Sequence, residues 1–323
     1  MYSVPGGTFM LSRRHLLRTM VLASGAIITA PLPSIPCPLS TGSTQTANHP
    51  TLLEADDCCL WACWLGHSTV LINIGGSWII TDPVLFDSYG LSILGITIGP
   101  RRFSPPALTI EELPRPDLVL LSHAHLDHMD RRSLSAMAER WHGELDVITA
   151  TNTMDVIEDL PWRSVHEMDW GDRTTVADVS LTALQVRHNG WRLPGEACRS
   201  NGQYRSGRSY NGYLLERNGV RVVFGGDTAH TTTFAKIRQP VDLAIMPIGA
   251  YDPYPETHCT PEESLSMVDM MNARSMMPIH HSTFRQSEEP IADPMIRLRA
   301  AIERSKTKLA VRSIGGSFSI QRV

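Results

Sequence analysis

From Asp117 to Asp130 the chain reads DLVLLSHAHLDHMD, a short apolar run that ends in His123, His125, Asp127 and His128. Runs such as DLVLLS belong to strands buried on both faces, so the polar cluster is expected on the loop that leaves such a strand. The chain has 13 histidines in 323 residues. With aspartate at about 5% of positions, this register arises by chance in roughly one chain in a thousand of the same composition. Four such groups at the end of a buried strand are costly to desolvate without a metal partner. On an irregular loop His123 and His125 point one way and Asp127 and His128 another, which serves two adjacent cations better than one.

One loop supplies only part of two coordination shells, so further donors are expected at other strand ends. Three side chains follow apolar runs in the same manner: His188 after LTALQV with one arginine between, Asp227 after VVFGG, and His280 after SMMPI. A carboxylate such as Asp227 can bridge two cations, holding them the ~3.5 to 4 Å apart that shared activation of one water requires.

The remaining pattern supplies a frame for these loops. CCLWACWL, TVLINI and SWIITD, the last ending at Asp82, alternate with tight turns from Cys58 onward and read as strands. VSLTALQV, YNGYLLE, VRVVFGG, DLAIMPIG, SMMPIHH and SFSIQ read the same way. Helices are expected at Arg131 to Trp141, at Pro261 to Met271 with Thr260 as cap and Glu262 and Glu263 in the first turn, and at Pro294 to Ser305. The glycine-punctuated stretch Leu91 to Pro100 reads as a long loop rather than a strand. This order predicts an α/β (α+β) class: two βα halves packed sheet to sheet with helices outside, and no linker dividing them.

The first forty residues differ in character. Ser12-Arg13-Arg14-His15-Leu16-Leu17-Arg18 precedes a modestly apolar stretch, Thr19 to Ala30, too short for a membrane anchor. The ordered basic, apolar and Pro/Ser-rich segments resemble a twin-arginine export signal. Residues 1–47 are therefore assigned to that signal and a flexible N-terminal segment, residues 48–323 to one catalytic domain, and the protein to the periplasm or another exported location. No later segment has the ~18 uninterrupted apolar residues of a membrane helix. A formal charge of -4 with dispersed Lys and Arg argues against nucleic acid as a partner. The six cysteines lack the CxxC pairs of a structural zinc site; buried or free thiols are expected ahead of a bridge such as Cys198 to Cys259.

HxHxDH, a later histidine, a GDT aspartate and a final histidine resemble the metallo-β-lactamase superfamily, whose shared fold is a four-layer αββα sandwich with metals between the sheets. Within it, WLGHSTVLI, TDP, GPRRF, ELPRPDLVLLSHAHLDHMD, FGGDT, PIGAYDP, HCTPEES and PIHHSTF resemble the phospholipase D that hydrolyses N-acylphosphatidylethanolamine and its bacterial relatives. The resemblance runs from about Trp61 to Pro290. It implies two Zn2+, one held by His123, His125 and His188, the other by Asp127, His128 and His280, with Asp227 between them; Mn2+ or Fe2+ suit the same donors. His258 matches a family active-site histidine near the scissile group, which makes Asp127 and His258 the candidate catalytic residues. His67 and Asp82 match motif residues that orient the metal loop rather than bind metal. The sequence departs from the family at His281, where a tryptophan is usual, at His230, and along the Gly-, Ser- and Arg-rich segment from Asn189 to Ser209.

The function expected is therefore that of a binuclear zinc-dependent hydrolase, a phosphodiesterase using a metal-bridging hydroxide on a phospholipid, with peripheral membrane contact. The alternative is a lactonase or other small-molecule hydrolase with the same metals. A non-hydrolytic di-iron redox or metal-binding protein is disfavoured, because the redox members alter HxHxDH and here it is intact. An apolar groove formed by 91–100 and 189–209 would favour lipid, with Leu91, Ile93, Leu94 and Ile96 receiving an acyl chain, and a small closed polar pocket the lactone.

Overall fold

The structure is a computed structural model that describes residues 43–45, 49–55, 58–93 and 96–321. Ser12 to Ala30, where the export signal is expected, Cys37 and Leu94 lie outside the described residues.

Two mixed sheets form the centre. The first places β1 (Ser43–Gln45), β17 (Ser317–Gln321), β2 (Cys58–Gly66), β3 (Thr69–Ile74), β4 (Ser77–Thr81), β7 (Leu118–Leu120), β8 (Asp146–Ala150) and β9 (Ser164–Met168) side by side. It is antiparallel up to β4 and parallel from β4 to β9. The second runs β10 (Arg173–Val176), β11 (Val179–Leu184), β12 (Gly212–Arg217), β13 (Val220–Phe224), β14 (Leu243–Pro247), β15 (Ser275–Ile279) and β16 (Lys308–Leu309). Its pairing changes from antiparallel to parallel at β13.

The period-two geometry of a strand explains why β2 has no polar face. Leu60, Ala62 and Trp64 enter the core between the sheets with Tyr213, Phe224 and Ile279. Trp61, Cys63 and Leu65 enter a second core with Leu134 and Met137 of helix α1 (Arg131–Arg140). On the far side α2 (Pro261–Met270) and α3 (Asp293–Ile302) cover β14 and β15 through Met267, Val268 and Leu298. The layers are α, β, β and α, the sandwich expected from the sequence.

Helix α2 starts where its sequence says it should. Glu263 N donates to Thr260 Oγ1 at 3.3 Å and Thr260 N to Glu263 Oε2 at 2.9 Å, a reciprocal capping box with Pro261 in the first turn. Thr260→Ala removes one half of it and is expected to cost about 1 kcal/mol. Urea unfolding checks this: the midpoint falls while the slope stays that of the parent.

One expectation is corrected. Residues 91–100 are not a plain loop but an antiparallel hairpin, β5 (Leu91–Ile93) and β6 (Ile96–Ile98). The glycines read as loop punctuation close its base: a Cβ on Gly90 would lie 2.1 Å from Ile98 O and one on Gly99 2.1 Å from Tyr89 O. Only glycine permits that approach. Cys198 and Cys259 are buried free thiols, the reading expected ahead of a bridge.

The topology gathers strand ends at one edge. β4 and β7 are parallel; β11 and β13 both oppose β12 and so run alike; β15 follows the direction of β13 through β14. The segments after β7 and before β12 then meet across the sheets, with Asn211 N donating to Ser122 O at 2.9 Å and a bridge between His123 and Tyr210. Gly226, after β13, has φ +56, and a Cβ there would sit 2.7 Å from Ser122 Cβ. A side chain at this turn would push the segment carrying Asp227 away from the β7 loop.

Candidate metal centre

Each donor singled out in the sequence leaves one of these strand ends. His123, His125, Asp127 and His128 follow β7, His188 lies beyond β11, Asp227 beyond β13, and His280 directly after β15. The structure brings all seven together. His123, His125, His188 and Asp227 form one group, and Asp127, His128, His280 and His67 another; in each, one potential ligand atom per residue lies within 4.8 Å of the rest.

Asp227 joins the groups. Its Oδ2 is 3.1 Å from His128 Nε2, 3.2 Å from His280 Nε2, 3.3 Å from His258 Nε2, 3.8 Å from His188 Nε2 and 4.0 Å from His123 Nε2. Asp127 Oδ2 serves the second group alone, 3.4 Å from His128 Nε2 and 3.5 Å from His280 Nε2.

Hydrogen bonds fix which ring nitrogen each histidine offers. Ser122 Oγ donates to Asp82 Oδ2 at 2.6 Å and meets His123 Nδ1 at 2.8 Å. His128 Nδ1 donates to the same Asp82 oxygen at 2.7 Å, and His188 Nδ1 to Thr257 O at 2.8 Å. In all three, Nε2 is left facing the centre. His125 is turned over: its Nε2 bonds Asn189 Oδ1 at 2.8 Å, and its Nδ1 lies 3.3 Å from His188 Nε2. Partners of this kind set ring orientation and tautomer in metal sites. His67 Nε2 bonds Asp127 Oδ2 at 2.9 Å, so His67 and Asp82 both contact the loop they were expected to orient. Replacing Asp82 by alanine is expected to weaken metal affinity by about 10–100-fold, since the His128 ring and Ser122, which in turn holds His123, lose their common acceptor. Titration against a competing chelator measures it.

Burial at the centre is near complete, yet polar atoms are left over. His123 Nε2, His128 Nε2, Asp227 Oδ1 and both ring nitrogens of His280 have no hydrogen-bond partner and no solvent. Unsatisfied groups at such density cost several kcal/mol; a divalent cation satisfies imidazole and carboxylate together, and the donor set is compatible with one. Electrostatics divide the donors. Burial, and then repulsion from His128, hold His123 well below the usual imidazole range; burial likewise keeps His188 low and sets His125 at about 4. These rings are neutral at pH 7, as ligands must be. Burial opposes charge on His128 and His280 too, but the two carboxylates overcome it, lifting His128 well above its ordinary value and His280 to about 9. Asp127 and Asp227 stay ionised despite burial, because His128 beside them outweighs it.

Backbone conformation marks the same place. His67, Asp82 and His280 adopt φ of +52, +33 and +60. Non-glycine residues in this region cluster at functional sites, where surrounding contacts hold the strain.

His258 also joins the centre, through the Asp227 contact, with its side chain 13% exposed on the open side. His281, where the family usually has a tryptophan, is buried and packs on Trp64 with ring centroids 4.5 Å apart. His230 is only partly buried and belongs to neither group. Sequence reasoning missed Gln286, whose Nε2 donates to Asp127 Oδ2 at 2.5 Å and Tyr89 Oη at 2.9 Å. It missed Asn189 and Trp191 as well; Trp191 lies 5.0 Å from His125, ring to ring. A glutamine six residues past the last donor, on an irregular loop, carries no signal; Ser122, next to His123, was open to inspection.

The family model described as "Beta-lactamase superfamily domain" matches residues 77–281, a span that contains every one of the seven donors. The chain belongs to this superfamily. Its fold is the metallo-β-lactamase sandwich, and its activity class is that of a metal-dependent hydrolase. An uncharacterized protein of Mycobacterium tuberculosis is 30% identical over 95% of this chain and 79% of its own length. The N-acyl-phosphatidylethanolamine-hydrolyzing phospholipase D 1 of Caenorhabditis elegans is 29% identical, over 70% of this chain and 64% of that protein. Among solved structures, the isothiocyanate hydrolase from Delia radicum gut bacteria superposes with a TM-score of 0.62 at 15% identity, covering 81% of this chain and 99% of that one.

Proposed function

We propose that this hydrolase is a phosphodiesterase of the N-acylphosphatidylethanolamine phospholipase D type, working with two zinc ions on an N-acylated phospholipid outside the cytoplasm. The observation that carries the reading is Asp227, one carboxylate oxygen set among four imidazoles from the two donor groups and that of His258. His123, His125 and His188 would hold one cation, Asp127, His128 and His280 the other, and Asp227 both. The similarity to the worm phospholipase D supports the lipid; the cavity of about 140 Å³ beside His280 is lined by Phe103, Phe284 and Ile291 together with Arg285, Gln286 and Glu289 and favours neither substrate.

The cations would supply Lewis acidity and a water deprotonated near neutral pH. The balance of the reaction is simple: water oxygen bonds to phosphorus, the bond from phosphorus to the ethanolamine-side oxygen breaks, and the water's proton ends on that alkoxide. The products are a phosphatidate and an N-acylethanolamine. The chain's own part is placement and proton transfer. Asp127, fixed by His67 and Gln286, holds negative charge against the second donor group, and His258, on the exposed side of Asp227, stands ready to give the leaving alkoxide its proton.

The test is hydrolysis of N-acylphosphatidylethanolamine and of a nitrophenyl phosphodiester by purified protein of measured metal content. Both are expected to be cleaved, and a chelator is expected to abolish both rates. A protein that opens lactones with its metal in place yet cleaves neither diester is a lactonase, and the lipid reading is then wrong. The exported location is tested by fusing residues 1–47 to a reporter that fluoresces only when folded before export; fluorescence confined to the cytoplasm would contradict it.

A further inference from the structure

The sequence expects an acyl chain at hairpin 91–98; a further apolar space lies elsewhere in the fold. A cleft of about 630 Å³, within the range of small-molecule sites, opens between the segment after Phe103, helix α3 and the turn before β17. Trp64, Pro105, Met295 and Ile314 form its apolar surface, and Ile296 on its rim is 64% exposed.

Charge on this cleft is one-sided. Arg299 and Arg312 both line it and no carboxylate does, although acids outnumber bases in the chain, 33 to 29. Neither guanidinium has an ion-pair or hydrogen-bond partner among the described residues, whereas Arg297, two residues before Arg299, is tied to Glu262 at 2.6 Å. Two unpaired arginines above an apolar floor match a molecule with one anionic end and one hydrocarbon end.

The cleft neighbours a cavity that the metal centre borders. Its lining shares His281 and Ser282 with the 140 Å³ cavity that contains His280. Trp64, on its floor, donates from Nε1 to His67 O at 2.8 Å, and His67 bonds Asp127.

We propose that this cleft binds a long-chain anionic amphiphile, its hydrocarbon chain on the Trp64, Met295 and Ile314 surface and its head, a carboxylate or a phosphate monoester, held by Arg299 and Arg312. A chain seated there points toward His281 and the cavity beside His280.

Calorimetric titration of the full chain with myristate and with dodecyl phosphate tests the site and separates the two head groups. At least one is expected to bind one to one; if neither does, the proposal fails. The double variant Arg299→Glu/Arg312→Glu, both on the surface, is expected to weaken that binding at least about tenfold through loss of charge-assisted hydrogen bonds. Ser313→Trp, which fills the cleft from its exposed rim, is expected to do the same. Inorganic phosphate and decanol, each lacking one half of the molecule, are expected to bind at least about tenfold more weakly than the amphiphile. Affinity unchanged in both variants, or matched by phosphate or decanol alone, overturns the assignment. Far-UV circular dichroism and the urea midpoint are expected to be the same in parent and variants, which shows that they fold. A further arm rests on the phospholipase reading: the amphiphile should raise the KM for lipid but not for the nitrophenyl diester. The binding arms stand or fall without it.

Discussion

Asp227→Asn is expected to purify folded, to hold less metal than the parent, and to lose hydrolytic activity by about a thousandfold or more. The side chain is 2% exposed as a residue and has five imidazoles around one oxygen. Asparagine keeps its shape but replaces the anion with a neutral amide, half of which is a donor that faces other donors. Removing one partner from a buried charged group costs about 3–5 kcal/mol, which is a factor of roughly a hundred to several thousand. The loss falls on both donor groups together, because Asp227 belongs to both. The fold should persist, since the core between the sheets is made by Trp64, Tyr213, Phe224 and Ile279, none of which needs the carboxylate. Emission spectrometry of metal per chain, far-UV circular dichroism and kcat/KM are the measurements. A variant with the parent's metal content and rate would remove Asp227 from the centre.

The donors were legible in the sequence because metal chemistry restricts residue type and strand ends restrict position. His188, Asp227 and His280 each follow an apolar run that could only be a buried strand, and the topology turns all those runs toward one edge. Several of the strands that were missed lacked that contrast. β9 and β10 are half-exposed, SVHEM and RTTV, so polar residues occur on both faces and no apolar run announces them. β5 and β6 were hidden by the glycines that make their hairpin close. The segment from Asn189 to Ser209 was legible only as an oddity. Its role depends on contacts distant in sequence: Arg192 Nη1 donates to Ala124 O and Met129 O, both at 2.9 Å, and so ties the two ends of the metal loop. Hydrogen bonds from a side chain to a remote backbone leave no pattern in the order of residues, and the same is true of Gln286 on Asp127.

His258→Gln separates a proton donor from a further metal ligand. The ring lies 3.3 Å from Asp227 and bonds Thr257 Oγ1 through Nδ1 at 3.0 Å, so its orientation is set by its own neighbour rather than by the donors of the β7 loop. Glutamine fills similar space and keeps a polar end toward Asp227, but it transfers no proton. Metal content and KM are therefore expected to match the parent, while kcat on N-acylphosphatidylethanolamine falls by about a hundredfold or more, the scale of a general acid. The leaving group decides the matter. An ethanolamine-side alkoxide needs its proton as the bond to phosphorus breaks; nitrophenolate is a stable anion and does not. The loss on a nitrophenyl phosphodiester should thus be at least tenfold smaller than on the lipid. Equal losses on the two substrates would show that His258 positions the centre, and a drop in bound metal would show that it is a ligand; either result ends its assignment as the acid.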